Sequence, residues 1–290
     1  MSELLQFTLS GLTMGAIYSL VAIGFVLIYN ASEVVNFAQG EFVMIGGMVA
    51  VFAFKAGIPL PWAVAMAIAA ATVIGLMLYA FAIRPAGNAS IVTLIIITIG
   101  ASIFLRGLAS VLFDKSIHKL PDFVPGGTLQ MAGATIQAQS LLVLFGVGLI
   151  VGGLWLFLSR TLPGKAMLAT AASALAARLS GINTSLVIAS SFAVSGAIGA
   201  IGGALITPVA LTAYDVGAPL ALKGFTAAVL GGLGHPLGAV VGGLLLGLLE
   251  AFGAGFISSL YKDAIAFVVL LLVLMFLPRG LFASAKVDRV

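Results

Sequence analysis

The stretch Ser140-LLVLFGVGLIVGGLWLF-Leu158 contains no charged side chain, and the stretch that follows, Ser159-RTLPGKAMLATAASALAARLSGIN-Thr184, carries Arg160, Lys165 and Arg178 and no acid. An uncharged apolar run of about 20 residues is long enough to cross a hydrocarbon core of ~30 Å as a helix. Basic residues collect in the short loops on the cytoplasmic side of a membrane. The two stretches together therefore read as a membrane span that delivers a cytoplasmic loop. Within the loop, residues Gly164 to Asn183 read as one short Ala-rich helix bounded by Gly164 and Gly181. At helical spacing Leu168, Leu175 and Leu179 form a stripe with Ala172 beside them, and Thr170, Ser173 and Ala177 leave the other side small and flat. Such a helix suits the membrane interface or a groove on a soluble partner, and the pattern leaves both open.

Working outward, the whole chain of 290 residues has the same character. It is 62% hydrophobic and 8% charged, with a mean hydropathy of +1.26. Soluble domains carry roughly 25% charged residues, so the composition is that of an integral membrane protein. The alternating strands of an outer-membrane barrel are missing, which predicts an all-α polytopic bundle filling one transmembrane domain over residues 1–290. The net charge of +4 sits at span edges, where topology accounts for it and nucleic acid does not. There is no cysteine, and His118 and His235 are too few for a histidine-based metal centre, so no metal site is expected. The first apolar segment is too long for a cleaved signal and lacks a basic leader, so it reads as a retained span.

Candidate spans lie near Leu5–Tyr29, Val34–Phe54, Trp62–Ile83, Ile91–Phe113, Ser140–Leu158, Ser185–Thr207, Pro219–Leu233, Pro236–Ile257 and Ala264–Leu277. The second follows a polar run and the seventh contains Lys223. Either can be a broken or re-entrant helix, which a membrane tolerates where the backbone is buried in protein. The expectation is thus eight or nine transmembrane helices. The Ser159–Thr184 loop and the tail with Arg279, Lys286 and Arg289 belong to the cytoplasmic side, whereas Asp114–Gln139, with balanced charges and Pro-Gly turn signals, fits the outer face. Nine spans put the N-terminus outside and the C-terminus in the cytoplasm; eight move the N-terminus or require a re-entrant segment. Glycines recur at G-x-x-x-G spacing (Gly11 and Gly15, Gly238 and Gly242, Gly243 and Gly247), which lets membrane helices approach closely.

Charges inside spans are costly and mark functional candidates. They are Arg106, Lys223, Glu250 and Glu41. A structural alternative is an internal ion pair, Arg106 with Glu250 or Glu41, that fixes helix register. The run Val35-NFAQG-Glu41 places Asn36, Gln39 and Glu41 among apolar neighbours. It reads as a helix start whose amides and carboxylate line or gate a polar path, or as a capped, buried N-terminus with Glu41 in the dipole of the first turn. His235, in the glycine-rich break before Pro236, reads as a turn residue. No phosphate-binding loop is present, since Gly164-Lys165 runs into Ala166 without the upstream glycine. Motifs of zinc proteases and serine hydrolases are also missing. If ATP drives this chain, another subunit binds it.

Ordered blocks along nearly the whole chain resemble the branched-chain amino acid ABC transporter permease family, of the LivH type. They include Gly11-LTMGAI-Tyr18, Asn36-FAQG-Glu41, Thr98-IGASIF-Leu105, Gly181-IN-Thr184, Lys223-GFTAAVLGGL-Gly234, Glu250-Ala251, Tyr261-Lys-Asp263 and Pro278-RGL-Phe282. The resemblance implies a multi-pass permease subunit of the bacterial cytoplasmic (inner) membrane. It would work by alternating access beside a homologous second permease, two cytoplasmic ABC ATPases and an extracytoplasmic solute-binding protein. ATP and magnesium would belong to the ATPases, with no cofactor on this chain. Residues 159–184 would be the coupling loop, with Gly164, Lys165, Ala166, Ala169, Ala171, Arg178, Gly181, Ile182 and Asn183 as its ATPase-coupling positions. Its centre departs from the family pattern: Leu168, Ala172 and Ser173 stand where relatives often carry a basic residue followed by acidic ones, which favours shape and backbone contacts over an ion-pair latch. The alternative from another class is an autonomous secondary transporter or channel for a small polar solute. A membrane-embedded enzyme lacks a nucleophile-base constellation.

Overall fold

The computed structural model describes residues 2–87, 89–124, 127–131, 134–277 and 279–282. Pro125-Gly126, Pro278, Lys286 and Arg289, which entered the reading of the loops and tail, lie outside the described residues. The chain runs through helices α1 (Ser2–Ser32), α2 (Gln39–Lys55) and α3 (Leu60–Leu78). A π-helical turn (Tyr79–Ile83) joins α3 to the short α4 (Arg84–Ala86), and α5 (Ile91–Leu112) follows. Strands β1 (Thr128–Met131) and β2 (Ala134–Gln137) then pair antiparallel, with Thr128 opposite Gln137. After them come α6 (Ala138–Arg160), α7 (Leu162–Ala172), α8 (Ala174–Leu179), α9 (Thr184–Ala210), α10 (Gly217–Gly231), α11 (Pro236–Phe256) and, past a 3-10 turn, α12 (Lys262–Phe276).

Among the described residues, seven helices are long and apolar enough to cross a membrane. The expected eight or nine spans thus separate into these seven and two that fall short, α2 with 17 residues and α10 with 15. They are the two segments whose sequence was least regular. α2 begins at Gln39 and not at Val34, because the Asn36-Phe37-Ala38 stretch turns before the helix starts: the Gln39 N–H bonds back to Asn36 O at 3.0 Å. The hairpin is a small addition to the all-α expectation, formed inside the Asp114–Gln139 loop.

α1 is the central post, and its apolar window is 89% buried. It meets α11 at the spacing its glycines set. A methyl group on Gly15 would lie 2.8 Å from the carbonyl oxygen of Gly243, so no larger residue fits without moving a backbone. On the other flank, Ala63, Ala67, Ala71, Gly75 and Leu78 make the buried stripe of α3 and pack against α9. α5, α6 and α12 stand at the periphery, their windows only 17%, 17% and 11% buried.

The two ends of the bundle are distinct. At one, the Gln6 side chain accepts from Thr135 N of the hairpin, Lys55 Nζ meets His118 Nδ1 at 2.7 Å, and the backbones of His118 and Thr212 pair. At the other, α6 passes into α7, Asn30 Nδ2 donates to Gly234 O, and the Leu281 and Phe282 N–H groups bond to Leu230 O and Gly231 O. Residues 159–184 and the described tail therefore share one end, and the 114–139 loop and the start of α1 share the opposite one.

Candidate functional site

The two short helices begin inside the bundle. Gln39, first in α2, shares a hydrogen of Ser195 Oγ (2.5 Å) with Gly24 O (3.0 Å); Ser195 lies near the middle of α9 and Gly24 within the last third of α1. Glu41 Oε1 accepts from Ser102 Oγ at 2.8 Å, again near the middle of α5. α10 starts at the same depth: Gly217 lies directly against the Glu41 carboxylate and against Gly40, where no side chain fits on either glycine. From this junction α2 rises to Lys55 and the hairpin end, and α10 descends to Gly231 and the opposite end. Two helix N-termini thus face one carboxylate, which their dipoles favour.

Asn36, Gln39 and Glu41 are each 0% exposed. Asn36 Oδ1 accepts from Ala38 N at 3.2 Å, while among the described residues its Nδ2 has no partner and Glu41 Oε2 is likewise unpartnered. Arg106 of α5 reaches in from the periphery to 3.6 Å from Glu41 Oε1, its side chain one third (33%) exposed and its Nε without a partner among the same residues. The expected pairing of Arg106 with Glu41 is therefore present, and the one with Glu250 is not.

Glu250 belongs to a second, separate cluster. Lys223 Nζ of α10 lies 2.7 Å from Glu250 Oε1 of α11, 2.7 Å from Asp263 Oδ1 of α12 and 3.3 Å from Tyr18 Oη of α1. Lys262 adds a looser contact at 3.6 Å. Four helices are tied by these groups. A cleft of about 250 Å3 runs beside the cluster, lined by Phe7, Ser10, Met14, Glu250, Ala251 and Lys262. Met14 also borders a cleft of about 180 Å3 between α1, α9 and α10. Neither cleft reaches Asn36, Gln39 or Glu41.

The 159–184 loop is not one helix but an elbow of two. Ser173 is extended (φ −163°, ψ 108°) and caps α8 by accepting from Ala176 N at 3.2 Å. A serine in the middle of an Ala-rich run favours such a cap over continuing the helix. The faces survive the break except at the break itself: Leu168, Leu175 and Leu179 are exposed and Thr170 and Ala177 are buried, but Ser173, expected on the small face, is exposed where the chain turns. Gly164 lets α7 close onto Phe157 and Leu158 of α6. Lys165 and Ala171 are exposed, and Ala166, Ala169 and Ile182 half-buried. Arg178 Nε donates to Thr184 Oγ1 at 2.7 Å. Gly181 takes φ +84°, a backbone that favours glycine. Asn183 caps α9 by accepting from Leu186 N at 3.1 Å. His235 caps α11 through Gly238 N at 3.1 Å, which agrees with its reading as a turn residue.

Sequence reasoning did not single out Ser195 or Asp215. Ser195 sits in a Gly-rich span among several serines, with nothing in its spacing to mark it. Asp215, just before α10, was hidden between two segments whose bounds were uncertain.

A bundle of long apolar helices enclosing two short ones, with polar groups gathered where these begin, is the architecture of a multi-pass membrane protein. Residues 7–274 match the family described as branched-chain amino acid transport system / permease component, and the chain belongs to that family. It is 35% identical to the high-affinity branched-chain amino acid transport system permease protein BraD of Pseudomonas aeruginosa, over 99% of this chain and 98% of that one. It is 34% identical to LivH of Salmonella typhimurium and to LivH of Escherichia coli, in each case over 99% of this chain and 97% of the other.

Proposed function

We propose that residues 1–290 form one permease domain of an ATP-driven importer for branched-chain or related amino acids. The domain sits in a bacterial cytoplasmic membrane with residues 159–184 and the C-terminus in the cytoplasm. It works with a homologous second permease, two cytoplasmic ABC ATPases that hold the ATP and magnesium, and an extracytoplasmic binding protein. The observation that carries this reading is the end-to-end similarity to permease proteins of named branched-chain amino acid systems. The elbow supports it: Leu168, Leu175 and Leu179 project from a basic surface without acids, as a soluble partner with an apolar groove would require.

In this mechanism the ATPases move the elbow, and α6 and α9, which flank it, carry the motion into the bundle. Ser195 on α9 holds Gln39, so a shift of α9 pulls directly on the start of α2. Asn36, Gln39 and Glu41 act as the gate, closed in this conformation. A change of state follows only if ATP and ADP forms of the ATPases engage the elbow with different affinity.

The test is uptake of L-leucine by proteoliposomes holding the full complex. ATP-dependent uptake is expected, and it should fall at least about tenfold in Ala171→Trp, an exposed position, with insertion unchanged. Ala177 is unsuited to this test because it packs inward. Unchanged uptake in Ala171→Trp removes the docking surface. Leucine flux through this chain without any ATPase assigns it to the secondary transporters.

A further inference from the structure

Arg106 is poorly served by its own chain. It lies within an apolar span, its nearest acid oxygen is 3.6 Å away, and its guanidinium makes no hydrogen bond among the described residues. An arginine offers five N–H donors in a planar fork suited to a carboxylate. Nε is buried without a partner among the described residues, and one third of the side chain is exposed, where a group arriving from outside this chain can reach the fork.

Asp215 is the complementary case. It precedes Gly217 by two residues, and Gly217 lies against the Glu41 carboxylate. Tyr214 and Val216 on either side pack into the cluster formed by α2, α5 and α9, whereas Asp215 itself is exposed and forms no salt bridge among the described residues. The approach to α10 starts at Thr212, which pairs with His118, so Asp215 lies on the hairpin side of the junction. α5 runs toward the same end, so Arg106 also stands on the hairpin side of Ser102 and Glu41. One base held only loosely by Glu41, and one acid with no salt bridge among the described residues, therefore flank the buried carboxylate on the same side.

We propose that Arg106 and Asp215 read the two ends of a zwitterionic amino acid as it arrives at the junction from the hairpin end, Arg106 taking the α-carboxylate and Asp215 the α-ammonium. The inference rests on the amino-acid reading above and adds the residues that select for it. Glu41, with no opening of its own, keeps Arg106 oriented and does not touch the solute until the junction opens. A molecule with only one of the two groups leaves an exposed charge unmet and is disfavoured.

The experiment uses the full complex in proteoliposomes with wild-type chain, Arg106→Lys, Arg106→Gln or Asp215→Asn. Each is given L-leucine, 4-methylpentanoate (no ammonium) and 3-methylbutylamine (no carboxylate). Wild type should take up leucine well above either analogue. Arg106→Gln and Asp215→Asn should each lower leucine uptake roughly tenfold, the effect of one charge-assisted hydrogen bond. Arg106→Lys should retain part of it. The discriminating readout is selectivity: preference over 3-methylbutylamine should narrow in Arg106→Gln, and preference over 4-methylpentanoate should narrow in Asp215→Asn. Should the Arg106 variants fail to assemble, the exposed Asp215→Asn decides alone. Wild-type leucine uptake and selectivity in Asp215→Asn overturn the inference. So does weakened assembly in Arg106→Gln with selectivity unmoved, which would give Arg106 to an acid of the second permease. No leucine uptake by the wild type removes the amino-acid reading itself, an outcome distinct from both.

Discussion

Two buried carboxylates, Glu41 and Glu250, are each met by a basic side chain from a neighbouring helix, yet their surroundings differ. Lys223 is held at 2.7 Å from Glu250 and at 2.7 Å from Asp263, with Tyr18 on its third side. Arg106 stands 3.6 Å from Glu41, one third exposed, with donors to spare. The Lys223 ammonium has three partners and ties four helices, although Glu250 Oε2, like Glu41 Oε2, has no hydrogen-bond partner among the described residues. The difference lies in the cations: Lys223 has nothing left to offer a solute, whereas Arg106, placed where two helices begin, has donors available to something that arrives. The first site reads as structure and the second as function, although both looked alike in the sequence as lone charges in apolar spans.

The strongest way to break this contrast is to attack the brace. Lys223→Met leaves Glu250 buried and stripped of its main partner. Removing one member of a buried pair costs about 3–5 kcal/mol, so the melting temperature of the purified chain should fall sharply. Lys223→Met combined with Glu250→Leu should recover most of that loss, because the stranded charge goes with it. If the single variant melts like wild type, the cluster is no brace and the contrast between the sites disappears.

How much of this was legible beforehand follows from the physics of each element. The peripheral helices α5, α6 and α12 declared themselves, because a helix facing lipid must be apolar over its full length. α2 and α10 were visible only as irregularities. A short helix enclosed by other helices does not face lipid over a full span and can carry Glu41 or Lys223 against polar partners from its neighbours, so its ends obey local turns and not a hydrophobic length. Glu41 could be nominated from its residue type. Its partner Ser102 and its neighbour Asp215 could not, since they lie far away in the chain and are ordinary residues there. The elbow was legible in most of its faces but not in its break: Leu168 before Ser173 and Leu175 and Leu179 after it are all exposed, and a cap-forming serine was the residue at which the run divides.

A subtler change tests whether the junction is loose in its charges alone or in its packing too. A methyl group on Gly40 would lie 2.7 Å from the backbone nitrogen of Ala221 and press on the Gly217 carbonyl. Backbone cannot yield as a side chain does, and overpacking of this kind costs about 1–3 kcal/mol. Gly40→Ala should therefore melt lower than wild type by less than Lys223→Met does, and should lose uptake out of proportion to that loss, because α2 and α10 can no longer close on each other. Normal uptake in Gly40→Ala would mean that the close approach of the two N-termini is incidental.

The smallest effect belongs to a charge contact outside the membrane-spanning helices, which calibrates the other two. Asp114 takes φ +83°, and its Oδ1 accepts from Ser116 N at 2.7 Å and from His118 Nε2 at 2.9 Å. The Ser116 N–H first, and the His118 side chain second, hold its carboxyl below the ordinary aspartate range. A pKa lowered by folding contributes stability above the unfolded value, roughly 3.9, and that contribution fades as pH falls through the lowered one. Asp114→Asn is the informative variant, because asparagine tolerates the left-handed backbone and still accepts from Ser116, while its charge no longer titrates. Wild type should melt slightly above Asp114→Asn at neutral pH and lose that margin as pH drops below about 4, so that the two nearly coincide in acid. Since the Asp114 side chain is exposed, solvent screens its contacts, and the difference should be the least of the three. A larger effect here than at Lys223 would mean that pairing distance, and not burial, sets the worth of charges in this bundle, which would remove the ground for treating Glu250 and Glu41 differently.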